Sequence, residues 1–140
     1  TSKSTYSETN GNYTLSLTGG TNMYPSSRDA KGNSAIKLGS SSKTGGFSFV
    51  APSDVTSVNL EIAKYKSNAS TISLNGKQHT LTKNSNDGEY DVFTVDTSSN
   101  KNISLTTVSG GVRAMVNAIE YVVGNSSGGI VPEPERINHR

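Results

Sequence analysis

Two histidines, a scatter of carboxylates and many hydroxyls are the groups in this 140-residue chain that could do chemistry. A Ser-His-Asp arrangement would draw on His79, in a strand-like segment, or His139, near the end. Serine is abundant, yet the Gly-x-Ser-x-Gly elbow that would single one out is absent. His79 alternates with Lys77 and Leu81, which suits a structural or surface position. Hydrolysis of a glycoside would need two carboxylates converging across a cleft. Asp54, Glu61, Asp87, Glu89, Asp91, Asp96 and Glu120 are the stock for such a pair. A domain this small, with few large apolar residues, leaves little room for that cleft. A non-catalytic protein is therefore expected.

Oxygen ligands crowd one segment. Asn84, Asn86, Asp87 and Glu89, with Asp91 just beyond, lie close enough in sequence to hold a structural calcium. Gly88 does not fall where a helix-loop-helix calcium loop needs it. The competing interpretation is a turn rich in Asn and Asp, which turns favour on backbone grounds alone. Asp29, Asn33 and Asp96 are weaker oxygen donors.

Aromatic rings are the third resource. Exposed rings stack on the C–H faces of sugars, and Trp is the usual platform, but this chain has none. Its six tyrosines are the substitutes. Tyr121 shares parity with Met115 and Ile119 and reads as core. Tyr13 shares parity with Leu15 and Leu17 and reads the same way. Tyr24, beside Pro25, is the best exposed ring, and Tyr65 falls on the polar parity of Asn59 and Glu61. Two ligand patches follow: Tyr24, Arg28 and Asp29, and then Tyr65, Asn86, Asp87 and Tyr90. Asn117 shares parity with Met115 and Ile119, so it is expected to be buried and hydrogen bonded. A sharper possibility is a Lys–Asn isopeptide link, with Lys37 or Lys64 as the amine and Glu61 as proton shuttle.

Composition bounds the rest. Length alone suggests one domain. Hydrophobic residues make up 31%, enough for a thin core and not for a wide cavity. Charged residues make up only 17%, and Ser, Thr and Asn take their place. Net charge is +2 with basic residues scattered singly, which argues against nucleic acid as a partner. The absence of Cys excludes disulfides and Cys-ligated metals. It also fits secreted proteins of Gram-positive bacteria. No apolar run approaches the ~20 residues of a membrane-spanning helix, so no membrane insertion is expected. Residue 1 follows no signal sequence, as in a mature chain.

The elements that must position these groups are strands. Period-2 or β-rich segments occur at 13–17, 35–38, 47–50, 58–65, 71–74, 77–81, 90–95, 102–108 and 113–123. Asn75-Gly76 predicts a two-residue type I′ hairpin, because both central residues need positive φ. Gly19 to Asn33 reads as a long loop, and Gly39 to Gly46 as a Gly/Ser linker. The run Arg113 to Val123 is apolar on both parities and should lie mid-sheet between two layers. About nine strands and no helix predict an all-β antiparallel sandwich, jelly-roll-like, over residues 1–123. Residues 124–140 read as a Gly/Ser and then Pro/Glu linker or tail.

A resemblance adds to this. It is carried by four stretches: Ala35-Ile-Lys-Leu-Gly-Ser-Ser-Ser-Lys-Thr-Gly-Gly-Phe-Ser-Phe49, Val55-Thr-Ser-Val-Asn-Leu-Glu-Ile-Ala-Lys-Tyr65, Ile72-Ser-Leu-Asn-Gly76 and Arg113-Ala-Met-Val-Asn-Ala-Ile-Glu-Tyr121. Residues 12 to 123 resemble accessory β-sandwich modules of secreted and surface proteins of Gram-positive bacteria, jelly-roll carbohydrate-binding modules in general look. The likeness implies an extracellular, non-catalytic, monomeric module that binds a polysaccharide or glycan. It transfers no binding residue, since the matching positions are strand and turn residues. A module that contacts another surface protein, or serves as a spacer, is the alternative.

Overall fold

The computed structural model describes residues 1–124 and the backbone of a short strand at Glu135–Asn138. In chain order the strands are β1 (Tyr6–Asn10), β2 (Tyr13–Thr21), β3 (Met23–Arg28), β4 (Ser34–Leu38), β5 (Gly46–Val50) and β6 (Val55–Lys64). They continue as β7 (Thr71–Leu74), β8 (Lys77–Thr80), β9 (Asp91–Asp96), β10 (Asn102–Thr107), β11 (Ala114–Val123) and β12 (Glu135–Asn138). A single 3-10 turn, Ser85–Asp87, is the only helical element among the described residues. No helix there is long and apolar enough to cross a membrane.

The chain is an antiparallel β-sandwich, as its alternation predicts. One sheet runs β1-β2-β5-β10-β7-β8 and the other β3-β4-β11-β6-β9. β11 lies mid-sheet, with β6 along one edge. Its other edge is shared: β4 pairs with Ala114 to Val116 and β12 with Ala118 to Tyr121. The inner faces meet in a core of alternating residues, including Leu15, Leu17, Phe47, Phe49, Ile103 and Leu105 from the first sheet. Ile36, Leu38, Val58, Leu60, Ile62, Val116, Ile119 and Tyr121 face them from the second. Tyr121 is fully buried, with its ring edge-on to Tyr13 at 6.1 Å between centroids. Burial pushes its phenol up to about 12, so it stays neutral across the physiological range.

Twelve strands replace the expected nine, the additions being β1, β3 and β12. Gly19 to Asn33 is mostly strand: β2 extends to Thr21, and β3 follows after Asn22, whose φ is 46°. Pro25 is tolerated because β3 is an edge strand, and its register against β4 shifts between Tyr24 and Ser27. Gly39 to Gly46 is not a loose linker. Ser40 and Lys43 close a turn through Ser40 N–H to the Lys43 carbonyl at 3.0 Å. Gly45 and Thr107 exchange two bonds: Gly45 N–H to Thr107 Oγ1 at 3.0 Å, and Thr107 N–H to the Gly45 carbonyl at 2.8 Å. The glycines are there because backbones approach too closely for a Cβ. The Asn75-Gly76 turn has the expected positive φ at both residues, 50° and 83°. The expected tail at 124–140 lies largely outside the described residues, as does His139, but Glu135–Asn138 within it pairs with β11.

A bulge corrects one parity argument. Register against β6 shifts between Val116 and Ala118, leaving Asn117 as the extra residue. Ile119 and Tyr121 therefore face the core between the sheets, while Met115, buried as expected at 2% exposure, lies outside that cluster beside Lys37, its partner on β4.

A methyl group at Gly46 would strike the Leu105 carbonyl and the Thr106 backbone on β10. Gly46→Ala is expected to cost about 1–3 kcal/mol. Val92→Ala, at an exposed site, is expected to stay within about 0.5 kcal/mol of the parent. Urea unfolding of the two variants checks this; equal midpoints would rule out the close approach.

Candidate functional site

The two patches expected from the sequence become one surface at the end of the β3–β4 sheet edge. Asp29 is its organiser. Oδ1 accepts from the backbone N–H groups of Lys31 and Asn33, both at 2.9 Å. Oδ2 accepts from the Asn33 side chain at 2.9 Å and the Tyr90 hydroxyl at 2.7 Å. Asp29 and Tyr90 thus join the β3–β4 hairpin to the loop before β9. The Ala30 N–H reaches the Ser85 carbonyl at 3.4 Å, and Ser85 Oγ accepts from Lys66 N–H at 2.8 Å. Asp29 is buried and four donors of the chain fill its acceptor positions, so it shapes the loop rather than presenting itself to a ligand. Arg28 is tied to the same hairpin, donating to the Gly32 carbonyl at 3.0 Å and to Ser34 Oγ at 3.2 Å.

The oxygen-rich segment takes the form of a capped turn. Asn84 Oδ1 accepts from the Asn86 N–H at 2.8 Å and caps the 3-10 turn, which Gly88 closes at φ 66°. Asp87 and Glu89 are exposed beside it, as is Asn86. Among the described residues, no group of three or more His, Asp or Glu converges as a metal site. Asn84, the first of the calcium candidates, spends its carbonyl oxygen on the backbone.

Tyr24 and Tyr65 are brought together, but not as bare platforms. Lys37 stands opposite Tyr24 on β4, its Nζ 4.5 Å from the Tyr24 ring centroid and 5.4 Å from that of Tyr65. Lys66 Nζ lies 5.3 Å from the Tyr65 centroid, and the Arg113 guanidinium 4.3 Å. Cations therefore lie against the faces on which sugars would stack.

Among the described residues, the groups considered for catalysis each have other neighbours. His79 packs on Phe93 at the sandwich edge, 4.8 Å between rings. Asp54 accepts from the Tyr13 hydroxyl at 2.7 Å, and Asp96 from Ser98 Oγ at 2.6 Å. Asp91 binds Thr82 Oγ1 at 2.6 Å, with the backbone N–H groups of Thr82 and Lys83. On the outer face of the second sheet, Glu120 accepts from Asn59 at 2.8 Å and Glu61 from Asn117 Nδ2 at 2.9 Å. Asn117 is only 5% exposed, as expected, and it meets the expected Glu61. The Lys37 amine, however, points to the two tyrosines.

The outer face of the first sheet holds a site that sequence reasoning missed. A trough of about 540 Å³ is lined by Ser16, Thr18, Ser48, Val50, Asn75, Asn100, Asn102 and Ser104, with Phe49 and Ile103 at its floor. No charged side chain lines it. Asn75, from the I′ hairpin, is locked onto β10: Oδ1 accepts from Ser104 N–H at 2.8 Å and Nδ2 donates to the Asn102 carbonyl at 3.2 Å. Asn100 Oδ1 fixes the Asn102 side chain at 3.1 Å. The hydroxyls of Ser16 and Ser104 have no partner among the described residues. Val50, 67% exposed, is a large apolar group on this face. The signal was present as Ser, Thr and Asn on the outward parity of β2, β5 and β10 at once. It becomes a site only through their register, Thr18 opposite Ser48 and Ser48 opposite Ser104.

The chain matches no protein-family model, no curated protein and no solved structure.

Burial raises the pKa of Asp29, but bonds from Asn33, Tyr90 and Lys31 outweigh it and hold the carboxyl below its usual range. Asp91 is lowered in the same way, burial being outweighed by Thr82 and Lys83. A depressed carboxylate adds stability above its unfolded pKa of about 4 and loses it as pH falls through the folded value. Stability should therefore drop on acidification below about pH 4. Asp29→Asn and Asp91→Asn should each flatten that drop. Thermal midpoints measured across the acid range provide the test, and an unchanged slope in both variants would contradict the assignment.

Proposed function

We propose that this chain is a non-catalytic, extracellular carbohydrate-binding module of a larger secreted or cell-surface protein, and that the trough on the first sheet is where the glycan lies. The observation that carries this is the chemistry of that face. It offers hydroxyls and amides, an exposed valine, no charge and no wide cavity. A neutral polysaccharide chain has the matching character, with hydroxyls that both donate and accept around C–H faces. Asn75, Asn100 and Asn102 are already held by neighbours, so little side-chain entropy is lost when they bind. The jelly-roll-like likeness has support in the connectivity: from β4 to β7 each strand crosses to the other sheet, as do β9, β10 and β11.

Ser16 Oγ, Ser104 Oγ and Asn102 Oδ1 would engage sugar hydroxyls. Val50 would take a ring face. Each bond exchanges water for sugar, so its net worth is about 1 kcal/mol and affinity is modest.

Titration of the labelled protein with neutral plant, host and bacterial oligosaccharides should shift the amide resonances of Ser48, Asn102 and Ser104 for at least one class. Asn102→Ala and Ser104→Ala should each weaken that binding about fivefold while leaving the melting temperature in place. If no oligosaccharide moves those resonances and a surface protein is captured instead, the chain is an interaction module and the proposal fails.

A further inference from the structure

On the opposite sheet the structure brings together a group of a different chemical kind. Lys37, Lys66 and Arg113 converge on the ring of Tyr65, and Lys37 also covers Tyr24. The sequence scatters these three cations, and three separate elements deliver them. Lys37 comes from the middle of β4, Lys66 from the turn after β6, and Arg113 from the residue before β11. The backbone holds two of these together, with Tyr65 N–H donating to the Arg113 carbonyl at 3.4 Å.

One aromatic ring does not balance three positive charges. A ring quadrupole attracts each cation, but the cations repel one another and the ring carries no net charge. Among the described residues no carboxylate pairs with Lys37, Lys66 or Arg113. The Arg113 Nε is buried and has no hydrogen-bond acceptor. A buried donor left without an acceptor is costly, and it leaves the guanidinium with bonding capacity that the chain itself does not use. The Tyr24 and Tyr65 hydroxyls also lack partners among the described residues, which adds two donors at the same spot. The cluster thus holds an excess of positive charge, with no carboxylate of its own among the described residues.

We infer that Tyr24, Lys37, Tyr65, Lys66 and Arg113 form a binding site for an oxyanion, the carboxylate of a uronic-acid-bearing polysaccharide. Arg113 supplies the planar fork that matches two carboxylate oxygens, and the two lysines supply point charge on either side. The tyrosines hold the cations in place and donate through their hydroxyls. This site is separate from the uncharged trough. The carboxylate part of the inference stands without the function proposed above; the polysaccharide part rests on it.

The experiment compares four probes on the intact chain: oligogalacturonate, its neutral methyl ester, sodium sulfate and inorganic phosphate. Oligogalacturonate should shift the Arg113 Nε–H and Tyr65 resonances, the methyl ester should not, and added salt should weaken the effect. Arg113→Gln and Lys37→Gln should each lower the affinity about tenfold. Melting temperatures report whether either variant is merely misfolded, and two independent positions keep the test sound if one is. Equal binding of sulfate or phosphate at these resonances would keep the oxyanion site and overturn its polysaccharide ligand. Silence from every anion, or binding that survives both substitutions together, would overturn the site itself. Shifts at Ser104 and not at Arg113 would report on the trough alone, so the two sites fail separately.

Discussion

The pairing of β11 with β6, running from Ala114 to Val123 with register shifts at Asn117 and again between Val122 and Val123, is the constraint on which the other features depend. A strand has period two, so one inserted residue exchanges its faces. Asn117 is that residue. Before it, Val116 faces the core between the sheets and Met115, also buried, takes the opposite face; after it, Ile119 and Tyr121 face the core. Without the bulge, Tyr121 could not reach both Phe49 and Tyr13, which it contacts at 6.5 and 6.1 Å between ring centroids. The same bulge turns Asn117 toward Glu61, which accepts from its Nδ2, while its buried Oδ1 has no partner among the described residues. A polar residue within the most apolar strand is thus explained by geometry, and an apolar replacement there would leave Glu61 without that donor.

Because both sheets bury one face, each is left with an outer face whose chemistry is free to differ. The first carries hydroxyls and amides. The second carries Glu61, Glu120, Asn59 and Asn117 along its middle, and cations with tyrosines toward the β3–β4 edge. The difference arises from register rather than from composition. Lys37 is placed beside Tyr24 because β4 and β3 pair at that level, and beside Tyr65 because β11 and β6 bring their ends there. Loops then fix what the sheets place. Asp29 closes the β3–β4 hairpin and holds Tyr90, making one rigid end from two loops far apart in sequence.

Legibility in the sequence followed how local each cause was. Asn75-Gly76 needs only its own backbone, and the turn is as expected. The central position of β11 was visible in its apolar residues on both parities. Tyr13 and Tyr121 were placed in the core from parity, although the bulge puts Met115, itself buried, on the opposite face from Tyr121. β3 was hidden because Pro25 and several polar residues mimic a loop; only its edge position makes it a strand. Gly39 to Gly46 looked flexible because glycine marks both freedom and close approach, and only the neighbouring Thr107 and Leu105 tell them apart. Tyr24, Tyr65, Asp29 and Tyr90 were chosen from sequence and do share one end of the molecule. The trough was not chosen, since no single segment of it stands out.

The cations over Tyr24 and Tyr65 bear on how a glycan would be held. A ring that already faces a lysine or guanidinium has surrendered the surface that a sugar would cover. Sugar contact by stacking would first require Lys37 or Arg113 to leave, which returns a charge to water but forfeits the cation–π attraction. The trough asks for no such displacement, and its asparagines are fixed by bonds within the chain. Its cost is that each new bond replaces one to water, so preorganisation must supply the selectivity that burial cannot. That preorganisation comes from Asn75, whose side chain grips β10 from the turn of a hairpin. A residue that makes a two-residue turn is therefore also the one that sets the geometry of the face beside it.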